Sequence, residues 1–368
     1  MVDIFQQYEE LYLQMYGDNM PPSHRKAIDD IINCRKSTMG GKVYYCDNCQ
    51  AFHYSFHSCG NRNCNKCQYE LTDKWIDKNS HMLLPVNHFL VTFTLPELLR
   101  EYARKNQRIF YDILLKTAAQ ALQKLADDPK FVGGTLGMLA ILHTWARNMI
   151  FHPHAHFIVS GGGWLEDQNI WLKAKDNYLV NVIALSTIFR AKFRDALKKE
   201  APQLFKSIPK KVWNTDWVVN CKPVGNGQAT IKYLATYVFR PAISNNRILK
   251  LADGNVTFTY ENSNTKKWET MTLPALKFMA RYLQHVLPKG FVKVRYYGLY
   301  SFRQQETVAN LRELLKGPNK QSDLLQTPKK QDIKVMTCPD CGTTLRWIAD
   351  VKKGERWTTA PPIKSTIH

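Results

Sequence analysis

Apolar residues recur at helical spacing over residues 3–16, where Ile4, Tyr8, Leu11, Tyr12 and Met15 share one stripe; this predicts a short amphipathic helix. Pro21-Pro22 ends it, and a second helix is expected over 23–34. From 40 to 67 the pattern breaks into short strands and turns around cysteines. HFLVTFTL, 88–95, is dense in β-branched and aromatic residues and reads as a strand stopped by Pro96. Residues 97–126 run as one or two helices, and Gly133-Gly134 breaks the pattern. Two apolar runs follow, 136–146 and 154–159, joined by a short turn; they predict a buried antiparallel pair. Beyond them, helices over 182–200, 228–239 and 274–287 alternate with strands over 216–224, 256–260 and 291–301. The fold class expected is α+β.

Composition narrows the function. The chain has 368 residues, 51 Lys+Arg against 31 Asp+Glu, and a formal charge of +20, so a polyanionic partner is expected. Its 44% hydrophobic content excludes a disordered basic tail. No apolar run approaches the roughly 18 residues of a membrane span, and residues 1–17 lack the charge and apolar pattern of a signal peptide. Clustered cysteines in the reducing compartment this implies read as metal ligands.

Two C-x₂-C knuckles, Cys46/Cys49 and Cys64/Cys67, stand 14 residues apart. Together they would close a tetrahedral thiolate site of the structural zinc kind. Cys34 and Cys59 remain, and a second zinc would need two further ligands, from His24 and His57 or from Cys338 and Cys341 folding back. Zinc is thus expected at one or two structural sites.

His152-Pro-His154-Ala-His156 carries different chemistry. Alternate residues on a strand point the same way, so His154 and His156 would present two imidazoles on one face and leave a divalent ion with open positions. A third ligand would come from His152, which this reading favours, or from His143 on the neighbouring strand. Tyr233 and Tyr237, spaced i, i+4, would share a helix face. A phenol that attacks a phosphodiester needs a metal and nearby positive charge. Lys222, Lys232, Arg240 and Arg247 are the candidates for that charge. Arg62, Lys293 and Arg295, with Trp164 as a stacking platform, are further candidates for DNA contact. Gly161-Gly162-Gly163 is expected to let backbone approach a phosphate, and no P-loop is present, so nucleotide hydrolysis is not expected.

In this order the motifs resemble one family. They are His24, Cys34-Arg35 and Gly40-Gly41; the knuckles 46–67 with Ser58-Cys59-Gly60-Asn61-Arg62; and FTLPELLR (93–100), LHTW (142–145) and HPHAHFIVSGGG (152–163). LSTIFRAKFRDAL (185–197), YLATYVFRPAISNNRI (233–248) and HVLPKGFVKVRYYG (285–298) follow. The chain resembles, from about residue 20 to residue 300, the rolling-circle transposases of the insertion-sequence ninety-one class, which are HUH single-strand endonucleases of the two-tyrosine type.

The resemblance implies an HUH-type antiparallel sheet with helices on one side and histidines on a central strand. It implies His154 and His156 as ligands of Mg²⁺ or Mn²⁺, and Tyr233 and Tyr237 as nucleophiles that form a 5′-phosphotyrosine. It also implies single-stranded DNA at transposon ends and in the target, hairpin-containing ends included, in a prokaryotic, nucleoid-associated setting. Asn63 stands where the family tends to have histidine, and Thr236 where many members carry arginine. The domains expected are 1–80 with zinc, 81–315 catalytic, a linker at 316–334 and a small CxxC module at 335–368. A plasmid relaxase or replication initiator of the same chemistry, and a non-catalytic zinc DNA-binding protein, are the rival readings.

Overall fold

The computed structural model describes residues 1–67, 69–239, 241–263, 265–316 and 335–355. Arg240 and the linker residues 317–334 lie outside the described residues, as do the side chain of Tyr237 and the end of the expected C-terminal module. In chain order the elements are α1 (Val2–Tyr16), α2 (Pro22–Asn33), β1 (Gly41–Cys46), β2 (Ala51–Phe56), α3 (Tyr69–Met82), β3 (His88–Thr94), α4 (Arg100–Lys105) and α5 (Gln107–Ala126). Next come β4 (Thr135–Trp145), β5 (Phe151–Leu165), β6 (Ile170–Lys173), α6 (Val182–Glu200), α7 (Pro202–Ser207), α8 (Lys211–Asn214), β7 (Val219–Pro223) and α9 (Gln228–Phe239). Then follow β8 (Ile248–Ala252), β9 (Asn255–Glu261), β10 (Trp268–Pro274), α10 (Ala275–Leu283), β11 (Val294–Gly298), α11 (Gln305–Lys316) and β12 (Arg346–Val351). Among the described residues no helix is long and apolar enough to cross a membrane.

The chain divides into two compact units, and the first is drawn from both chain ends, residues 1–67 and 335–355. Its sheet has the order β12-β1-β2. β12 runs antiparallel to β1, with Gly41 opposite Val351 and Tyr45 opposite Arg346. The C-terminal segment expected to fold by itself therefore supplies an edge strand to the cysteine-rich unit. α1 and α2 complete the unit, burying Ile4, Phe5 and Tyr12 of the first and Ala27, Ile28, Ile31 and Ile32 of the second.

The second unit, within 69–319, holds an antiparallel sheet of order β11-β4-β5-β3-β7, with β6 paired to β5. β5 is central. Alternation assigns its two faces. Phe89, Val91, Phe93, Met138, Ala140, Leu142, Ala155, Phe157 and Val159 pack with residues of α5 and α6, such as Phe110, Leu114, Phe189 and Phe193. Leu90, Leu139, Ile141 and Ile158, on the opposite face, pack with Ile231, Leu234 and Val238 of α9 and with Val308 and Leu311 of α11. Helices thus lie on both faces, where the sequence reading has them on one. α3 and α11 carry no strong sequence signal; α3 packs against α9.

The glycine run 161–163 is buried inside β5. A Cβ at Gly161 would sit 2.5 Å from the Asn87 carbonyl oxygen, and one at Gly162 2.6 Å from that of Leu172. These glycines admit neighbouring backbone, not a phosphate. α9 begins after Gly227 (φ +77°), and Asn226 Oδ1 accepts from the Gln228 N–H at 3.1 Å. A third sheet, β10-β9-β8, lies between α9 and β11 in the sequence and packs Phe258 against Phe278 of α10.

Candidate functional site

Pairing of β4 with β5 sets His143 opposite His154 and Ile141 opposite His156. Directly opposed residues share a face, as do alternate residues along one strand. His143, His154 and His156 therefore gather on the face that α9 covers. Their ring centroids are 5.1, 5.0 and 4.9 Å apart, and each ring stands nearly perpendicular to the others, at 89°, 86° and 85°. One ring nitrogen from each lies within 4.8 Å of the other two.

Outer contacts orient these rings. His154 Nδ1 donates to the His152 carbonyl oxygen at 2.7 Å, which leaves the lone pair on Nε2. His156 Nδ1 is 2.9 Å from the hydroxyl of Thr92, its cross-strand partner in β3. His143 stacks on Trp145 at 5.1 Å and 23°. Burial, reinforced by the neighbouring imidazoles, holds His143 and His154 well below the ordinary histidine pKa. Burial and the Lys222 charge bring His156 down to about 4. All three rings are thus neutral near pH 7, the form that ligates a metal. Three neutral imidazoles, two of them with hydrogen-bonded outer nitrogens, suit a divalent ion that keeps open positions.

His152 shares the parity of His154 and His156 but does not join the group of converging nitrogens. It sits near the start of β5, where Arg100 donates to its Nδ1 at 2.9 Å. The third imidazole is His143, placed directly across from His154 by the register.

α9 buries Ile231, Leu234, Ala235 and Val238, a stripe of i, i+3, i+4, i+7 spacing. Tyr233 falls off that stripe and is 50% exposed. Tyr237 belongs to the same helix one turn later. Two cations flank the histidines. Lys222 is exposed on β7 opposite Leu90, and its charge acts on His156. Lys293 is buried 5.9 Å over the Trp145 ring, and its charge acts on His143. Lys232 is exposed on α9, and Arg62 is exposed in the first unit. Arg247 donates to the carbonyls of Thr259 and Arg147. Arg295 pairs with Asp112 and lies 5.2 Å over the Phe291 ring. Both arginines are engaged in holding the fold. Trp164 is 8% exposed in the core beneath α9 and offers no open face to a base; it lies within β5.

In the first unit the two knuckles part company. Cys64 and Cys67 converge with Cys34 and Cys59; Cys46 and Cys49 converge with Cys338 and Cys341. The hairpin between β1 and β2 explains the separation. Cys46 and Cys49 lie at its turn, whereas Cys59 and the second knuckle follow its open end, roughly 17 Å away at the rise of a six-residue strand. Cys34 is brought to that open end by the bond from the Arg35 N–H to the His57 carbonyl. His24 and His57 join neither group.

Within the Cys34 group, sulfur atoms approach to 3.2 Å (Cys34–Cys67) and 3.5 Å (Cys59–Cys67). In the other group the values are 3.6 Å (Cys46–Cys341) and 3.9 Å (Cys49–Cys338). The edge of a zinc–thiolate tetrahedron is about 3.8 Å, and a disulfide is about 2.05 Å. The spacings therefore fit four ligands around zinc and not disulfides.

Known families match the chain in two separate stretches. A family described as "Transposase zinc-binding domain" matches residues 4–95, and one described as "Putative transposase" matches residues 137–307. The chain is 33% identical to "Putative transposase y4qJ" of Sinorhizobium fredii over 334 residues, 86% of this chain and 84% of the relative. It is 29% identical to "Transposase for insertion sequence element IS801" of Pseudomonas savastanoi pv. phaseolicola over 299 residues, 76% of this chain and 70% of the relative. No solved structure matches the chain.

Proposed function

We infer the reaction from one premise: this chain belongs to the IS91-class family of transposases. It nicks and rejoins single-stranded DNA in rolling-circle transposition, through a covalent phosphotyrosine. The observation that carries this reading is the group of three mutually perpendicular imidazoles on the sheet face under α9.

His143, His154 and His156 would hold Mg²⁺ or Mn²⁺. Such an ion, when bound, polarises the scissile phosphate and stabilises charge on its oxygens. The chain's own groups do the rest. Thr92 and the His152 carbonyl lock two rings so that their ligating nitrogens converge. Lys222 and Lys293 bring positive charge to opposite sides of the triad, where a phosphodiester would otherwise meet only neutral rings. Tyr233 stands at the surface of its helix, where a DNA strand can reach it. Its phenol oxygen bonds to phosphorus and the P–O3′ bond breaks. The leaving 3′ oxygen takes up a proton, and the 5′ phosphate stays on tyrosine. The reverse attack by a 3′-OH rejoins the strand with no external energy source, since the phosphodiester is conserved in the link. Tyr237 would receive the second strand.

Nicking of a labelled single-stranded oligonucleotide tests this. The account expects nicks only with Mg²⁺ or Mn²⁺, and their loss in His154→Ala/His156→Ala with DNA binding retained. Nicking that persists without divalent ions or in that variant would refute it; a non-catalytic zinc protein would bind and never nick.

A further inference from the structure

We propose that Cys46, Cys49, Cys338 and Cys341 form a second zinc site, which clamps the C-terminal segment onto the N-terminal hairpin. This site stands apart from the nicking reaction and draws on ligands beyond the matched zinc-binding region, which ends at residue 95. Three independent features bring the ligands together. First, the four sulfur atoms lie within 4.8 Å of one another. Second, β12 is antiparallel to β1 with Tyr45 opposite Arg346, so the chain that enters β12 comes from the hairpin's turn end, where Cys46 and Cys49 are. Arg346 also pairs with Asp47 at 2.8 Å and covers the Tyr45 ring at 5.5 Å. Third, the Cys338-Pro339-Asp340-Cys341-Gly342 segment is already shaped as a knuckle. The Cys338 N–H donates to the Thr343 carbonyl at 2.8 Å and that of Gly342 to the Cys338 carbonyl at 2.9 Å.

A tight turn of this kind directs two thiolates at one point, and a partner turn faces it. His53 Nε2 lies 3.4 Å from the Cys338 sulfur, as an outer N–H donor to a thiolate ligand would. The cluster has buried Cys46 and Cys338 at its heart and Cys49 and Cys341 at the surface. A metal here ties together residues 289 positions apart in sequence, and the sequence between them includes the whole nuclease unit.

The test uses the full-length, zinc-loaded protein. Native mass spectrometry should find two zinc ions per chain. Brief alkylation with N-ethylmaleimide, mapped by peptide mass spectrometry, should leave Cys338 and Cys341 as protected as Cys46 and Cys49. Removing zinc with a chelator should expose these four together. In Cys338→Ser/Cys341→Ser the count should fall to one, with Cys46 and Cys49 alkylated and Cys34, Cys59, Cys64 and Cys67 still protected. The retained protection reports that the unit has folded. One zinc in the wild-type chain would overturn the proposal, as would rapid alkylation of Cys338 and Cys341 in the loaded protein or continued protection of Cys46 and Cys49 in the variant. The wild-type measurements decide the matter even if the variant misfolds.

Discussion

His143 enters the triad through register and not through motif, because its ring meets the others only when β4 pairs with β5 as it does. His143→Ala should therefore reduce nicking at least about 100-fold, in the range set by removing a partner of a metal site. His152→Ala, whose ring is held by Arg100 outside the triad, should change it only a few-fold. Thr92→Val keeps the shape and removes the hydroxyl from His156 Nδ1; it should weaken Mn²⁺ binding by about 10–100-fold, read by calorimetric titration. A separate histidine sets a limit on acid stability. His88 is fully buried, donating from Nδ1 to the Val86 carbonyl at 2.9 Å and lying 2.8 Å from the Tyr300 hydroxyl at Nε2. Burial brings its pKa down to about 4. The unfolded chain, with its histidine near 6.5, binds the proton first, so stability falls as pH drops through 6.5 towards 4. That loss is about 2 kcal/mol at pH 5. Urea unfolding at pH 7 and pH 5 should show His88→Gln losing less stability than the wild type over this interval; an equal loss would place the titration elsewhere.

At the scale of elements, β5 combines a half that carries His154 and His156 with a glycine half that admits neighbouring backbone. Gly161→Ala puts a Cβ 2.5 Å from the Asn87 carbonyl oxygen, with no flexible side chain to yield. It should cost about 1–3 kcal/mol, seen as a lower urea midpoint. Sequence pattern made the two long strands, α6 and α9 legible because their apolar periods are strong and their ends are marked, by Asn181 capping the Ile183 and Ala184 N–H groups or by Gly227. It could not place α3 or α11, whose polar stretches become helices through tertiary packing. The split of the cysteine knuckles was hidden for a related reason. Spacing along the chain shows which two thiolates share a turn, but only the hairpin's length shows which turns can meet. Thr92 and Arg100 were missed as positioning residues because cross-strand neighbours are invisible until the register is known. The glycine run looked like a phosphate approach because glycine signals close backbone contact without naming the contact.

At the scale of the whole molecule, the charge of +20 gives the strongest general prediction. Binding to single-stranded DNA should weaken linearly in log affinity against log salt, with a slope of about −0.7 per phosphate neutralised. Lys222→Ala should reduce that slope by about 0.7 while the zinc content stays unchanged. A salt-independent affinity would remove the electrostatic part of the account. The central claim is the covalent link between DNA and the tyrosine helix. The chain should be incubated with a single-stranded substrate and Mn²⁺, digested with trypsin, and the DNA-linked peptide sequenced by mass spectrometry. The account predicts a 5′-phosphate ester on Tyr233 or Tyr237, absent from Tyr233→Phe/Tyr237→Phe. Cleavage with no protein-linked 5′ end, or a link to any other residue, would contradict it.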